Sequence, residues 1–443
     1  MRSFRLVTLS FAVPMALAAF PAATRAQSLI ELYDAARASD ATYQSARAQY
    51  DADLARADQA KAAILPAANL GVGITRNFFD NHDPSYQRAY TAQTAGVNAS
   101  QPLYRPANWA SYEQGKKLVD LAQAQLISAE QDLVLRVSQA YFDVLAAADS
   151  LTFVRAQKTA VAEQLASAKR NFEVGTSTIT DSREAQARYD LVIAQEIAAD
   201  NDLRVKKLLL DQLVSRVNAQ PNPLLARAAL PSLQAQDING WVSTAETSHP
   251  AVIQALTALD VARLETRKAE AGNKPTIDLT AGFNVSRNPN GSATSFDPSR
   301  YNNTSVGVQL TLPLFAGFAI QNRIRETLSL EQKAQADLEA TRRNVSQATR
   351  TAFYGVLSGL GQIKALEAAE ASSQIALDAN KLGYQVGVRI NIDVLNSQSQ
   401  LYQTKRDLAR ARYDVLVGSL RLRQANGTLK PEDLQAVNAL LVP

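Results

Sequence analysis

Thr276-Ile277-Asp278-Leu279-Thr280-Ala281-Gly282-Phe283-Asn284-Val285 alternates without a break. Ile277, Leu279, Ala281, Phe283 and Val285 share one face; Asp278, Thr280, Gly282 and Asn284 share the other. A period of two is the signature of a strand. Beyond a turn-rich tip at Asn288-Pro289-Asn290-Gly291, a return strand sets Val306, Val308, Leu310, Leu312 and Leu314 against Gly307, Gln309 and Thr311. An earlier hairpin repeats the theme. Leu70, Val72 and Ile74 alternate with Asn69, Gly71, Gly73 and Thr75. After a tip at Asn81-His82-Asp83-Pro84, Ala95, Val97, Ala99 and Leu103 alternate with Thr94, Gly96, Asn98 and Ser100. Apolar against small and polar over about ten residues describes a transmembrane barrel strand. A water-soluble sheet packed on helices alternates in the same way. In hydrocarbon, however, a sheet cannot leave open edges, because each unpaired backbone group costs several kcal/mol. Closed barrels need about eight strands or more. Four strands per chain therefore predict, on the membrane reading, several chains sharing one barrel.

The N-terminus favours the membrane reading. Arg2 and Arg5 precede an apolar run from Leu6 to Phe20, and Thr24-Arg25-Ala26 supplies a small-x-small cleavage site before Gln27. That is the pattern of a secretory signal. Its apolar run is shorter than the roughly 20 residues of a spanning helix. Arg2, Arg5 and Arg25 leave with the signal, so the mature chain holds 43 basic and 42 acidic residues. A near-neutral balance removes the main support for nucleic-acid binding. There is no cysteine, hence no disulfide and no cysteine-linked lipid.

The chain is one design written twice. Ser39–Thr75 aligns without a gap on Ser248–Asn284, an offset of 209 that drifts only to 212 further on. Gln101-Pro102-Leu103-Tyr104 falls on Leu312-Pro313-Leu314-Phe315, Ala140–Leu145 on Ala352–Leu357, and Phe172-Glu173-Val174-Gly175 on Tyr384-Gln385-Val386-Gly387. Each copy reads as helix, hairpin, very long helix, turn, helix. No proline lies between Pro106 and Pro221 or between Pro313 and Pro431, which predicts long uninterrupted helices. A helix from about Ala107 to Val174 would extend roughly 100 Å at ~1.5 Å per residue. Val137, Val144 and Leu151 keep heptad spacing with Tyr141 and Ala148 between them. The register then slips to Val154, Val161 and Ala168, with Leu165 and Phe172 alongside. Heptads with slips fit helices packed on one another with changing supercoil. The expected division is a signal over 1–26, a first unit over 27–220, a linker over 221–236, a second unit over 237–430 and a C-terminal segment over 431–443. The expected fold class is mainly α with a transmembrane β-barrel portion.

These features together resemble the TolC family of outer-membrane efflux proteins, from Gln27 to Pro443. The resemblance rests on the doubled unit, the prolines around each hairpin, Val174-Gly175, Tyr384-Gln385-Val386-Gly387, and Arg389-Ile390-Asn391-Ile392-Asp393-Val394-Leu395. It implies a homotrimer in which three chains give four strands each to a twelve-stranded barrel, continued by a helical periplasmic tunnel. It further implies short helices around Ile238–Thr247 and Pro431–Leu441 in a belt outside the tunnel. The implied partners are outer-membrane lipid, a periplasmic adaptor and an inner-membrane pump, and the cargo is small molecules or proteins. Such a channel needs no cofactor.

The gate is expected at the turns between the long helices. Gly175 and Gly387 stand where a left-handed C-cap is usual, and Thr180-Asp181 and Asn391-Ile392-Asp393 stand where short polar side chains cap the next helix. Helix capping is one role for Asp181 and Asp393. The resemblance implies another: Thr180 and Asp181, with Tyr384 and Arg389, would form links that hold the tunnel entrance closed. Asp393 would form a lumenal acidic ring, and Asn396 replaces a second aspartate one turn later. Val174, Gly175, Val386 and Gly387 would contact the adaptor.

Catalysis has little material. His82 lies in a hairpin tip and His249 is expected at a helix start, after a cap at Ser248 and before Pro250. No glycine-rich phosphate loop or metal spacing occurs. A pore-free periplasmic scaffold or adaptor would share the signal and long helices, but not strands alternating on a lipid-length scale.

Overall fold

The structure, a computed structural model, describes residues 26–225 and 238–442. The expected signal, apart from Ala26, and most of the expected linker lie outside the described residues. In the first copy, α1 (Leu29–Ser39) and α2 (Ala41–Ala62) lead into β1 (Ala67–His82) and β2 (Ser85–Tyr104). Next come α3 (Pro106–Glu173) and α4 (Ile179–Val214). In the second, α5 (Ile238–Ser248) and α6 (Pro250–Glu270) precede β3 (Thr276–Asn288) and β4 (Ser299–Thr311). There follow α7 (Ala319–Gln385), α8 (Asn391–Ala425) and the short α9 (Asp433–Asn438).

The strands form one antiparallel sheet in the order β1-β2-β3-β4. Its register places the predicted apolar positions side by side. Leu70 opposes Val97, Val97 opposes Phe283, and Ala281 opposes Val306. The other face aligns Asn69, Asn98, Gly282 and Ser305 in one row. Close approach favours glycine there: a Cβ on Gly96 would lie 1.8 Å from Oδ1 of Asn284 on the next strand, so a larger residue would displace that side chain. Leu70, Val72, Ile74, Val306, Val308 and Leu310 are all exposed, an apolar face that nothing among the described residues covers. Both edges, β1 and β4, are unpaired. Among the described residues no helix is long and apolar enough to cross a membrane.

The first tip lies where it was expected, while two strand ends at the helix side differ from the sequence expectation. The first hairpin continues far past Thr75, to His82, and the register of β2 shifts at a bulge between Pro102 and Tyr104. Proline has no N–H for the ladder, so the alternation breaks before Leu103. β4 stops at Thr311, leaving Leu312 and Leu314 below it. There Phe315 packs edge-on against Phe318, and Trp109 against Tyr112, all near the strand–helix boundary. Amphipathic and aromatic rings suit a membrane–water boundary.

α3 spans 68 residues and α7 spans 67. Near the sheet the packing order is α2-α3-α6-α7, which repeats the strand order; farther away it is α4-α3-α8-α7. The two long helices therefore run the full length, while α2 and α4, and α6 and α8, share the remaining positions. The core sits midway, where Leu32 of α1, Tyr141 and Phe142 of α3, Leu210 of α4, Leu420 of α8 and Leu434 of α9 are buried together. Phe142 stacks on Tyr413 at 5.7 Å, and the Tyr141 hydroxyl donates to the carbonyls of Asn222 (3.0 Å) and Gln27 (3.2 Å). Single bridges pair Gln27 with Pro221 and Leu224 with Leu441, stitching the chain's middle to both ends. The heptad positions Val137, Val144, Leu151, Val154, Val161, Leu165 and Ala168 are buried as expected. Phe172, beside the turn, is instead exposed. At the sheet end, Arg105 caps the approach to α3 by a two-pronged bond to Asp278 of β3, 2.7 Å from Nε and 2.6 Å from Nη2.

Candidate gate at the helical tip

Both long helices end in the same motif. After α3, Gly175 has φ +78°, its N–H donates to Phe172 O (3.0 Å), and Thr176 N–H donates to Asn171 O (2.8 Å). After α7, Gly387 has φ +80°, with the matching bonds from Gly387 to Tyr384 O (3.2 Å) and from Val388 to Gly383 O (2.9 Å). This double bond pattern is the Schellman C-cap, which favours glycine at its left-handed residue. Nothing lies within 4 Å of a Cβ built on either glycine, so conformation rather than space requires them. Val174, Val386 and Val388 remain exposed on the turns.

The next helices start differently in the two copies. Thr178, not Thr180 or Asp181, is the N-cap of α4. Its Oγ1 accepts from Asp181 N–H (3.2 Å), and Asp181 Oδ2 accepts from Thr178 N–H (3.0 Å) and Oγ1 (2.9 Å). That reciprocal pair is a capping box with aspartate at its third position. The expected cap fell two residues late because the turn is shorter than the sequence suggested. In the second copy Ile390 is the N-cap and has no side-chain acceptor. Asp393, the counterpart of Asp181, instead lies 3.7 Å from Arg389 Nη1 in a partly exposed pair. The Arg389 stem lies over Gly383, where a Cβ would sit 2.7 Å from Arg389 Cγ.

The two helical hairpins meet through neutral and singly charged links. Tyr384 Oη accepts from Asn171 Nδ2 at 3.1 Å. Asn391, buried at the start of α8, accepts from Gln164 Nε2 and donates to the Asp181 main-chain carbonyl at 3.3 Å. Arg188 Nη2 donates to Asn396 Oδ1 at 2.7 Å. The Asp181 and Arg389 side chains are thus each engaged within their own copy rather than with one another in this chain. Thr180 is exposed and makes no side-chain hydrogen bond among the described residues. Above these links, the seam carries buried Gln157 and Gln398, whose Oε1 atoms have no hydrogen-bond partner among the described residues.

Sequence reasoning missed Gln164, Asn171, Arg188 and Asn391 as participants. A signal existed: Asn171 and Phe172 align with Gly383 and Tyr384, and Thr178 aligns with Ile390. The links sit where the two copies diverge.

His82 ends β1, as expected of a tip residue. His249 is itself the cap of α6: its Nδ1 accepts from Ala251 N–H at 3.1 Å, while Ser248 closes α5. Burial lowers the His249 pKa, favouring the neutral ring that can accept this bond. Among the described residues no group of acidic or histidine side chains is arranged to hold a metal.

Comparison with known proteins gives a consistent picture. The family model for outer membrane efflux protein matches twice, at residues 32–216 and 241–428. The chain is 34% identical to outer membrane protein TolC of Vibrio cholerae over 427 residues, covering 96% of this chain and 97% of that one. It is 30% identical to alkaline protease secretion protein AprF of Pseudomonas aeruginosa over 425 residues, 94% and 88% of the two chains. The fold superposes on the outer membrane protein VceC of Vibrio cholerae with a TM-score of 0.78 at 17% identity, over 90% of this chain and 96% of that chain. An apolar open-edged sheet, two membrane-to-tip helices and a doubled sequence match thus converge, and the chain belongs to the outer membrane efflux protein family.

Proposed function

We propose that three copies of this outer-membrane channel-tunnel protein close one barrel and tunnel, and that the links between its two helical hairpins hold the periplasmic entrance shut. The carrying observation is the pair of unpaired edges. β1 and β4 end the sheet, and α7 on one side and α2 and α4 on the other end the helical layer. Joining β4 to the next copy's β1 continues sheet and helices at once, and three copies bring twelve strands. Over the half of the sheet nearer the helices the lipid-facing side is then largely apolar, and the lumen is lined mainly by small polar residues, the partition that a water-filled barrel requires.

Export of small molecules or proteins follows from a bore lined by glycine, asparagine, serine and threonine, which offers no shaped apolar cavity for one substrate. We read the protein as a transporter rather than a catalyst. The exposed turns at Val174-Gly175 and Val386-Gly387 are the surfaces offered to a periplasmic adaptor and, through it, to an inner-membrane pump. Opening requires the α7–α8 hairpin to move against α3–α4. The Asn171–Tyr384, Asn391–Asp181 and Arg188–Asn396 links resist this, each weakly enough for a partner to reverse. Thr180, facing solvent, is available to a neighbouring copy. Asp393, three times over, gives a ring favouring cations, softened by Arg389 beside it.

Single-channel recording of the purified protein in a planar bilayer tests this. A small cation-selective conductance is expected. Silence from a verified trimer would replace the pore with a scaffold role.

A further inference from the structure

On three of the four strands the outward apolar series gives way, on the side away from the helices, to an arginine. On β3 the apolar series Ile277, Leu279, Ala281, Phe283, Val285 is succeeded on the same face by Arg287. On β4 the same face runs from Leu310, Val308 and Val306 through Thr304 and Asn302 to Arg300. On β1 it runs from Leu70, Val72 and Ile74 to Arg76. Arg287 and Arg300 are direct cross-strand partners, which places their Cβ atoms ~4.5–5.5 Å apart. Like charges so placed repel. All three side chains are exposed, and none has an ion pair or hydrogen bond among the described residues. The Arg76 guanidinium lies 5.8 Å from the centre of the Phe78 ring. Asp80, farther along the same face, is engaged by Gln87 (3.3 Å) and lies 3.9 Å from His82 Nδ1. Other arginines of the sheet do have intramolecular roles. Arg88, on the lumenal face, donates to Asn290 O at 3.0 Å and stacks over Phe296 at 3.9 Å.

The height of the arginines is set by the strand. From Ile277 to Arg287 the chain rises roughly 33 Å at about 3.3 Å per residue. A tilt of about 40° reduces that to about 25 Å, the thickness of the apolar band of an outer-membrane barrel. The guanidinium groups therefore stand at the headgroup level of the leaflet remote from the helices, the outer leaflet.

We propose that Arg287 and Arg300, with Arg76 near the β1 edge, form a site for the phosphates of an anionic glycolipid of the outer leaflet. A guanidinium presents a planar fork of donors that matches phosphate oxygens. The bound phosphate removes the Arg287–Arg300 repulsion, while the lipid's acyl chains lie over Val285, Phe283 and Val306 below. The site rests on the barrel proposed above, but the two readings fail separately, one by conductance and one by lipid affinity.

The test titrates the purified, detergent-solubilised protein with diphosphorylated lipid A, with its fully dephosphorylated form, and with inorganic phosphate, counting bound lipid by native mass spectrometry. Removing one charge-assisted hydrogen bond to phosphate weakens binding by about tenfold, so R287Q and R300Q should each bind about tenfold more weakly and the double variant about a hundredfold. Wild type should bind the dephosphorylated lipid as weakly as the double variant binds the phosphorylated one. In lipid-free neutral detergent R300Q should be at least as stable as wild type, since a repulsion is removed; this separates weakened binding from misfolding. Unchanged affinity in the double variant, equal affinity for dephosphorylated lipid, or saturation by inorganic phosphate alone would overturn the assignment.

Discussion

Replacing Tyr384 by phenylalanine deletes one hydroxyl and, with it, the 3.1 Å bond from Asn171 that ties α7 to α3 at the tip. The bond is neutral and partly buried, a class that contributes about 1 kcal/mol net. The proposed trimer would hold three. If the protomers open together, the closed state loses about 3 kcal/mol and the open-to-closed ratio rises by about two orders of magnitude. If they open independently, each shifts only about fivefold, and intermediate conductance levels appear. Single-channel recording distinguishes these outcomes through open probability and the number of current levels. N171A should reproduce the shift, and the double variant should add little, because both remove the same bond. Unaltered open probability in Y384F and N171A would refute the reasoning, since the link would then not distinguish closed from open.

Two further outcomes follow from interactions away from the tip. D278N breaks the two-pronged bond to Arg105 at the strand–helix junction; with Arg105 partly exposed, screening holds the loss to about 1–2 kcal/mol, read as a lower dissociation temperature of the trimer without a change in open-channel conductance. Asp40 has its pKa lowered, chiefly by its hydrogen bond to Arg136. A depressed carboxylate stabilises the fold above its unfolded pKa, and that contribution is lost as pH falls through the folded value; wild type should therefore lose more melting temperature than D40N on acidification below about pH 4.

Much of this architecture was legible in the sequence, for identifiable reasons. Alternation at Ile277–Val285 survives because each side chain meets lipid or lumen alone, so local chemistry and final environment agree. The long helices were legible from the missing prolines, and Gly175 and Gly387 from a left-handed turn that disfavours other residues. The strand ends were not. Past Thr75 the first hairpin carries Asn77, Phe79 and Asn81 into a rim no longer divided into lipid and lumen, so its pattern fades although its pairing continues. Nor were the gate links legible in full. Gln164, Asn171, Arg188 and Asn391 act through neighbours more than 200 residues away, and no periodicity encodes such partners. The capping role expected for Asp181 holds, but through Thr178, and it does not transfer to Asp393 because Ile390 has no acceptor to offer.

The stitching of Tyr141 to Gln27 and Asn222, and of Leu224 to Leu441, has a consequence for the order of assembly. The midway core draws on α1, α3, α4, α8 and α9, so its packing closes loops of several hundred residues. Such distant closures slow folding more than they alter stability. Either hairpin can pair soon after it is exported, but this core waits for α9 and Leu441. Leu32, Tyr141 and Leu210 can meet within the first copy, where α1, α3 and α4 pack on one another, but the side of the core that α8 and α9 cover stays open until the last residues arrive.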